Sequence, residues 1–212
     1  MLIISSHEQG TPEWFADRLG KATGSNASAI TAKGKTKGTE ATTRRNYRFQ
    51  LALERITGKP TEPMYKNAHM ERGNELEKFA RMAHEIETGE MVEEAGFCYQ
   101  NGTMFGCSVD GFLQNREGIG EYKCPLPAIH YGYIQENKVP NEYKGQVIHN
   151  LLTTGAKFCD FGSYCETMPE KLKFFLVRYE PTQAELDEYQ DELNQFLVDV
   201  DLLVQEIQLK AA

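Results

Sequence analysis

No apolar run in the 212-residue chain approaches the roughly 20 residues needed to span a bilayer. The opening MLIISSHEQG lacks both the basic start and the apolar length of a secretion signal. These two absences argue against a membrane partner and point to the cytoplasm. Cysteine is scarce and odd in number, and Cys98, Cys107, Cys124, Cys159 and Cys165 contain no C-x2-C pair. They read as reduced, mostly buried thiols, which disfavours a structural zinc or an iron–sulfur cluster. The histidines are scattered and form no H-x3-H arrangement, so a His-rich metal site is disfavoured too. No internal repeat or linker divides the chain.

What is present suits one globular α/β domain over residues 1–212. A hydrophobic fraction of 40% with 10% aromatics argues for a folded core and against disorder. The net charge of −8 looks unfavourable for nucleic acid, but it is unevenly spread. Thr182 to Ala212 holds eight acids and one lysine, leaving 23 acids against 22 bases in the rest of the chain. Lys33, Lys35, Lys37, Arg44, Arg45 and Arg48 are opposed in their segment by Glu40 alone. That run is either a solvated loop or a basic contact surface. The stretch AITAKGKT (29–36) ends like a phosphate-binding loop, but Ala29 stands where the first glycine is needed and no strand is predicted before it.

Periodicity sketches the order of elements. Thr11-Pro12-Glu13 starts a helix that Gly20 stops, a short helix opens at Ser25, and another spans about 42–57 before Gly58-Lys59-Pro60. Leu76, Phe79, Ala80, Ala83 and Ile86 or Glu87 predict a stripe on a helix over 68–88. Residues 91–99, 103–109 and 119–124 read as strands, separated by Asn101-Gly102 and by a 111–118 loop. Helices follow at 127–136 and 141–154, strands at 157–165 and 172–179, then a long helix opened by the capping box Thr182-Gln183-Ala184-Glu185. That helix either forms a coiled-coil seam or, preferably, lies over the core. The expected architecture is a central mixed sheet flanked by helices.

The chemistry concentrates in SVDGFLQNREGIGEYKCP (108–125), which carries a D-x10-E-x-K pattern. Strand alternation puts Glu121 and Lys123 on one face and Tyr122 on the other. A hairpin would bring Asp110 beside Glu121, and two adjacent carboxylates repel unless a cation lies between them. Mg2+, with Mn2+ as a substitute, would suit the pair, with waters and the Tyr122 carbonyl completing its shell. Lys123 would orient or deprotonate a water or stabilise charge on a phosphate, which fits phosphodiester hydrolysis. The pattern alone is weak, and an ordinary solvated edge hairpin is its bland alternative. Gly120 and Pro125 suggest a short strand at a functional sheet edge. Glu77, in MERGNELEKFAR (70–81), lies beside the helical stripe and supplies a third carboxylate for a second ion, or simply an i,i+4 pair with Arg81. Glu71 and Glu75 read as plain surface.

Four segments in order, GTPEWFADRLGKATGS (10–25), ERGNELEKFAR (71–81), GCSVDGF…GEYKCP (106–125) and YKGQVIHNLLTTG (143–155), resemble the YqaJ-type viral recombinases. This is the phage lambda exonuclease family of the PD-(D/E)xK nuclease superfamily. The resemblance implies a restriction-endonuclease-like core with Asp110 and Glu121 as metal ligands, Lys123 as catalytic lysine and Glu77 as the helix carboxylate, with one or two ions. It places Arg18, Ser25, Ser108 and Gln146 at positions that contact DNA phosphates. Val109 departs from the proline of the superfamily name, a position that shapes backbone. The resemblance further implies a Mg2+-dependent exonuclease acting 5′ to 3′ on linear duplex DNA inside a bacterial host. It also implies a homo-oligomeric, trimeric ring and a single-strand annealing partner. Arg44, Arg45 and Arg48 would then line the DNA entrance, with the acidic terminal helix outside. A PD-(D/E)xK endonuclease, a Cas4-like nuclease and a non-catalytic DNA-end-binding protein are the competing readings.

Overall fold

The computed structural model of the chain describes residues 1–36, 38–61 and 68–212, with the side chains of 68–71 and 74 outside that description. Lys37 and the side chain of Glu71 therefore lie outside the described residues, and Glu75 is exposed. In chain order the elements are β1 (Leu2–Ile4), α1 (Pro12–Arg18), β2 (Ala22–Thr23), α2 (Ala27–Ile30), α3 (Thr42–Thr57) and α4 (Ala68–Thr88). They continue with β3 (Phe97–Gln100), β4 (Phe105–Ser108), β5 (Gly111–Leu113), β6 (Gly118–Lys123), α5 (Pro127–Glu136) and α6 (Asn141–Thr154). The last are β7 (Phe158–Tyr164), β8 (Phe174–Tyr179) and α7 (Gln183–Ala211). Thr11 caps α1 by accepting the Trp14 N–H, and Gly58 closes α3 in the left-handed conformation at φ 64°.

The expected central sheet is built as two four-stranded mixed sheets, in the orders β1-β3-β4-β2 and β5-β6-β7-β8. The chain passes from one to the other at Asp110, whose N–H donates to the Gly120 carbonyl at 3.3 Å. Val109, Phe112, Ile119, Val147, Leu151 and Phe161 share one buried cluster, so side chains of both sheets and of α6 form a common core. On the opposite face of the second sheet, Ala80 of α4 packs with Leu113, Tyr122 and Phe158. That sheet is thus enclosed between helices on its two faces, the environment in which continuous burial along a strand is expected.

Several sequence expectations change. The 111–118 segment is not all loop: Gly111–Leu113 pairs antiparallel with β6, and the return is made by Gln114, Asn115 and Arg116, all with positive φ. Only the end of the predicted 91–99 strand is regular, because residues before Phe97 touch the sheet through a single Glu93–Phe112 bridge. β6 is no edge strand, since β5 and β7 pair with it on either side. The solvated-hairpin alternative fails on the same observation.

The stripe on α4 is also rotated. Phe79 and Ile86 are exposed, and the buried line is Leu76, Ala80 and His84. His84 is admitted because its Nε2 lies 3.3 Å from Asp160 Oδ2 on β7. This rotation carries Glu77 toward the sheet.

The terminal helix lies over the core as preferred: Tyr189, Leu193, Phe196 and Val200 are buried with Tyr47, Leu51 and Ile30. It also answers the charge asymmetry. Lys33 pairs with Glu192 at 3.1 Å, Arg44 with Asp199 at 2.9 Å and Arg55 with Asp201 at 2.6 Å. Lys33 and Arg44 of the basic run, and Arg55 farther along α3, are thus paired with the acidic terminal helix. No helix among the described residues is long and apolar enough to cross a membrane.

Candidate active site

β6 sets the geometry. Its alternation sends Tyr122 into the cluster beneath α4 and turns Glu121 and Lys123 to the opposite face. Glu121 is only 1% exposed, so its polar oxygens need partners within the protein. Four nitrogen–oxygen contacts organise it and its neighbour. Lys123 Nζ lies 2.5 Å from Glu121 Oε1, Gln146 Nε2 donates to the same oxygen at 2.7 Å, and Asn150 Nδ2 donates to Oε2 at 3.0 Å. Asp110, opposite Glu121 through the Gly111–Gly120 register, accepts the Tyr122 backbone N–H at 2.6 Å. The expected hairpin sets both acids on one wall, with β5 formed by residues 111–113 of the expected loop.

The electrostatics follow from this crowding. Burial, then the charges of Glu121 and Glu77, push the Asp110 carboxyl well above the usual carboxylate range. Glu77 is raised in the same sense by burial, with Arg81 opposing it and Glu121 adding to it. Burial disfavours the Lys123 ammonium, but Glu121 and Asp110 outweigh that and hold its proton more firmly than usual. Glu77 does form the pair with Arg81, at 3.3 Å, and Arg81 also reaches Glu94. The helix ion pair of Glu77 is thus present, and its carboxyl also feels the charge of Glu121.

A hard divalent ion fits this donor set. Glu121 adds to the raised proton affinity of Asp110 on the shared wall, and Mg2+ commonly uses one or two protein carboxylates with waters completing its shell. Among the described residues, no group of three or more His, Cys, Asp or Glu side chains is gathered as a ready metal cage. Glu77 stands near the pair without joining it.

The residues expected to contact phosphate lie on α1, in the turn after β2, at the end of β4 and on α6. Ser108 ends β4, two residues before Asp110, and its Oγ accepts from Trp14 Nε1 at 3.2 Å. Arg18 stacks over the Trp14 ring, with Cζ 4.1 Å from the ring centre. Its guanidinium helps line a cavity of about 190 Å³ with Lys21, Thr23, Asn26, Tyr47 and Gln50. Ser25 lies in the turn after β2, its Oγ 3.3 Å from Thr23 Oγ1. Gln146 stands on α6 at Glu121 itself. Arg44 and Arg48 are placed differently, both bonded to Glu40 and Arg44 also to Asp199, whereas Arg45 is exposed.

Three residues escaped the sequence reading. Trp14 links Ser108 to Arg18, and Tyr143 offers its ring to Lys123 Nζ at 5.0 Å from the ring centre. Asn150 shares Glu121 with Gln146. Its spacing of four from Gln146 on a predicted helix was the available signal, since that interval places both on one face.

The chain as a whole is similar to known proteins. The YqaJ-like viral recombinase domain matches residues 13–157. A crystal structure of an alkaline exonuclease (LHK-Exo) from Laribacter hongkongensis is 36% identical, with 95% of this chain and 98% of that chain aligned at a TM-score of 0.84. LHK-Exo in complex with dAMP aligns over the same shares of both chains, at 36% identity and a TM-score of 0.85. A phage related exonuclease from Haemophilus somnus 129PT is 16% identical over 88% of this chain and 96% of that one, at a TM-score of 0.71, a likeness of fold. Comparison with the curated proteins returns no match.

Proposed function

The chain belongs to the YqaJ-like viral recombinase family and is a DNA nuclease, and on that premise we propose a Mg2+-dependent exonuclease that digests one strand of linear duplex DNA from 5′ to 3′. The product is a duplex with a 3′ single-stranded overhang, suited to recombination by strand annealing. The reading treats residues 1–212 as one exonuclease domain, working in the bacterial cytoplasm beside a single-strand annealing protein. A homo-oligomeric ring, trimeric by resemblance to the lambda enzyme, belongs to the same proposal.

The observation that carries it is the convergence of Asp110, Glu121 and Lys123 on one wall, with Gln146 on the same carboxylate. Asp110, Glu121 and the Tyr122 carbonyl would hold Mg2+ or Mn2+, and Glu77 would serve a second ion. A divalent ion bound there supplies Lewis acidity toward a phosphate oxygen and lowers the pKa of a water. The chain's own residues do the rest. Lys123, kept as an ammonium by Glu121 and Asp110, presents positive charge to the phosphate rather than a free base. Gln146 fixes Glu121 Oε1 and turns its amide toward the same face. Arg18, Ser25 and Ser108 hold phosphates along the strand, with Trp14 orienting two of the three. LHK-Exo is known with dAMP bound, and a 5′-mononucleotide is the product expected of this chemistry.

Incubation with linear and with covalently closed circular duplex in Mg2+ separates this from the endonuclease reading. Linear DNA should be digested and circles left intact; cutting of circles would favour a PD-(D/E)xK endonuclease, and no cutting of either a DNA-end-binding protein.

A further inference from the structure

Asn150 is fully buried and faces two ways. Its Nδ2 donates to Glu121 Oε2 at 3.0 Å, while its Oδ1 is buried with no hydrogen-bond partner. The orientation is fixed chemically, because a flipped amide would set Oδ1 against the Glu121 carboxylate, acceptor against acceptor. On the other side stands Gly24, the residue before Ser25. A Cβ built on Gly24 would fall 2.2 Å from Asn150 Oδ1. Real Cβ atoms do not approach so closely, so glycine is required there for α6 and the turn after β2 to meet. The backbone at Gly24 has ordinary φ, so the requirement is one of space.

We propose that Asn150 is a positioning residue for Glu121, wedged between the Gly24-Ser25 turn and the carboxylate so that the turn sets how Glu121 is aimed. Glu121 has two oxygens, and Lys123 and Gln146 both attach to Oε1. Rotation about the Cγ–Cδ bond swings both oxygens, and among the described residues Asn150 makes the hydrogen bond that holds Oε2. The orphaned Oδ1 is the cost of this arrangement: an amide pressed against glycine cannot retreat from the carboxylate, so its donor stays on Oε2. Partners one step removed from a metal ligand typically change metal affinity by about 10–100-fold when lost. The inference rests on Glu121 being a metal ligand.

The test uses the full chain carrying Asn150→Leu, of similar volume without the donor, and separately Gly24→Ala, which removes no side chain of the site but forces Asn150 to shift. Mn2+ affinity is measured by titration calorimetry, end-labelled duplex binding by fluorescence anisotropy in EDTA, and folding by thermal melt. Both variants should bind Mn2+ about tenfold or more weakly, while duplex affinity in EDTA stays within about twofold. Reduced kcat with nearly unchanged KM should accompany this. Wild-type Mn2+ affinity in a folded Asn150→Leu protein overturns the proposal. Should that variant not fold, Gly24→Ala alone decides, and unchanged Mn2+ affinity in it is equally fatal. Failure of the wild type to bind Mn2+ would remove instead the metal-dependent reading on which the proposal stands.

Discussion

The Tyr122 backbone N–H donates to Asp110 Oδ2 at 2.6 Å, so the residue between Glu121 and Lys123 holds the acid on the neighbouring segment. One hydrogen bond thereby fixes the two carboxylates relative to each other across the β5–β6 hairpin. It favours the ionised form of Asp110, yet burial and the charges of Glu121 and Glu77 prevail and raise the carboxyl well above its usual range. The site is built for charge it does not itself neutralise.

Asp110→Asn should therefore stabilise the metal-free protein. A carboxyl whose folded pKa is raised contributes stability that is complete below its unfolded value and is lost as pH rises through the folded one. At pH 8 in EDTA the variant should gain about 1–3 kcal/mol in urea unfolding, since the amide keeps the bond from Tyr122 without the charge. Saturating Mg2+ should cancel the difference by stabilising the wild type alone. A variant no more stable than wild type in EDTA would contradict the electrostatic account.

His149 gives the fold a defined acid sensitivity. Its Nε2 lies 3.0 Å from the Gly106 carbonyl and its Nδ1 2.9 Å from the Tyr189 hydroxyl, an arrangement that suits a neutral ring. Burial pushes its pKa down to about 4, with the Gly106 bond opposing. A depressed folded pKa means stability present above the unfolded value near 6.5 and lost as pH falls through the folded one. About 3 kcal/mol should disappear between about pH 6.5 and 4. In His149→Gln the urea midpoint should be lower at neutral pH and flatter across that window; an equally steep loss would assign the acid sensitivity elsewhere.

Arg44 and Arg45 are neighbours in different surroundings, the first ion-paired and the second exposed. Arg44→Ala removes bonds to Glu40, Asp199 and the Ile30 carbonyl, and should cost about 1–2 kcal/mol of stability. Arg45→Ala should leave stability within about 0.5 kcal/mol and lower the slope of log affinity against log salt for duplex DNA by about one. Stability curves and salt titrations of the two variants check this. An unchanged slope in Arg45→Ala would remove this helix from the DNA path.

Local signals carried much of the architecture. Thr11-Pro12, Gly58, Asn101-Gly102 and the Thr182–Glu185 capping box marked boundaries because each meets a backbone requirement within a few residues. The acids were legible for a similar reason, since alternation along a single strand orders Glu121, Tyr122 and Lys123. What was missed depends on distant partners. Whether β6 is an edge or an interior strand is decided by β7, 40 residues on by register at Gly118–Phe158. The rotation of α4 was hidden because His84, polar by type, is buried by Asp160. Arg44 looked like free positive charge until Asp199 was folded against it. Asn150 had only its helical phase to announce it.

The central claim is tested most directly by digesting linear duplex labelled separately at each 5′ and 3′ end, with wild type and Lys123→Ala, in Mg2+ and in EDTA. The account predicts that wild type in Mg2+ releases the 5′ label first, as mononucleotide, and leaves 3′-labelled single strands. EDTA and the folded Lys123→Ala variant should both abolish release. First release of the 3′ label would contradict the polarity, and undiminished cleavage by folded Lys123→Ala would contradict the assignment of the active site.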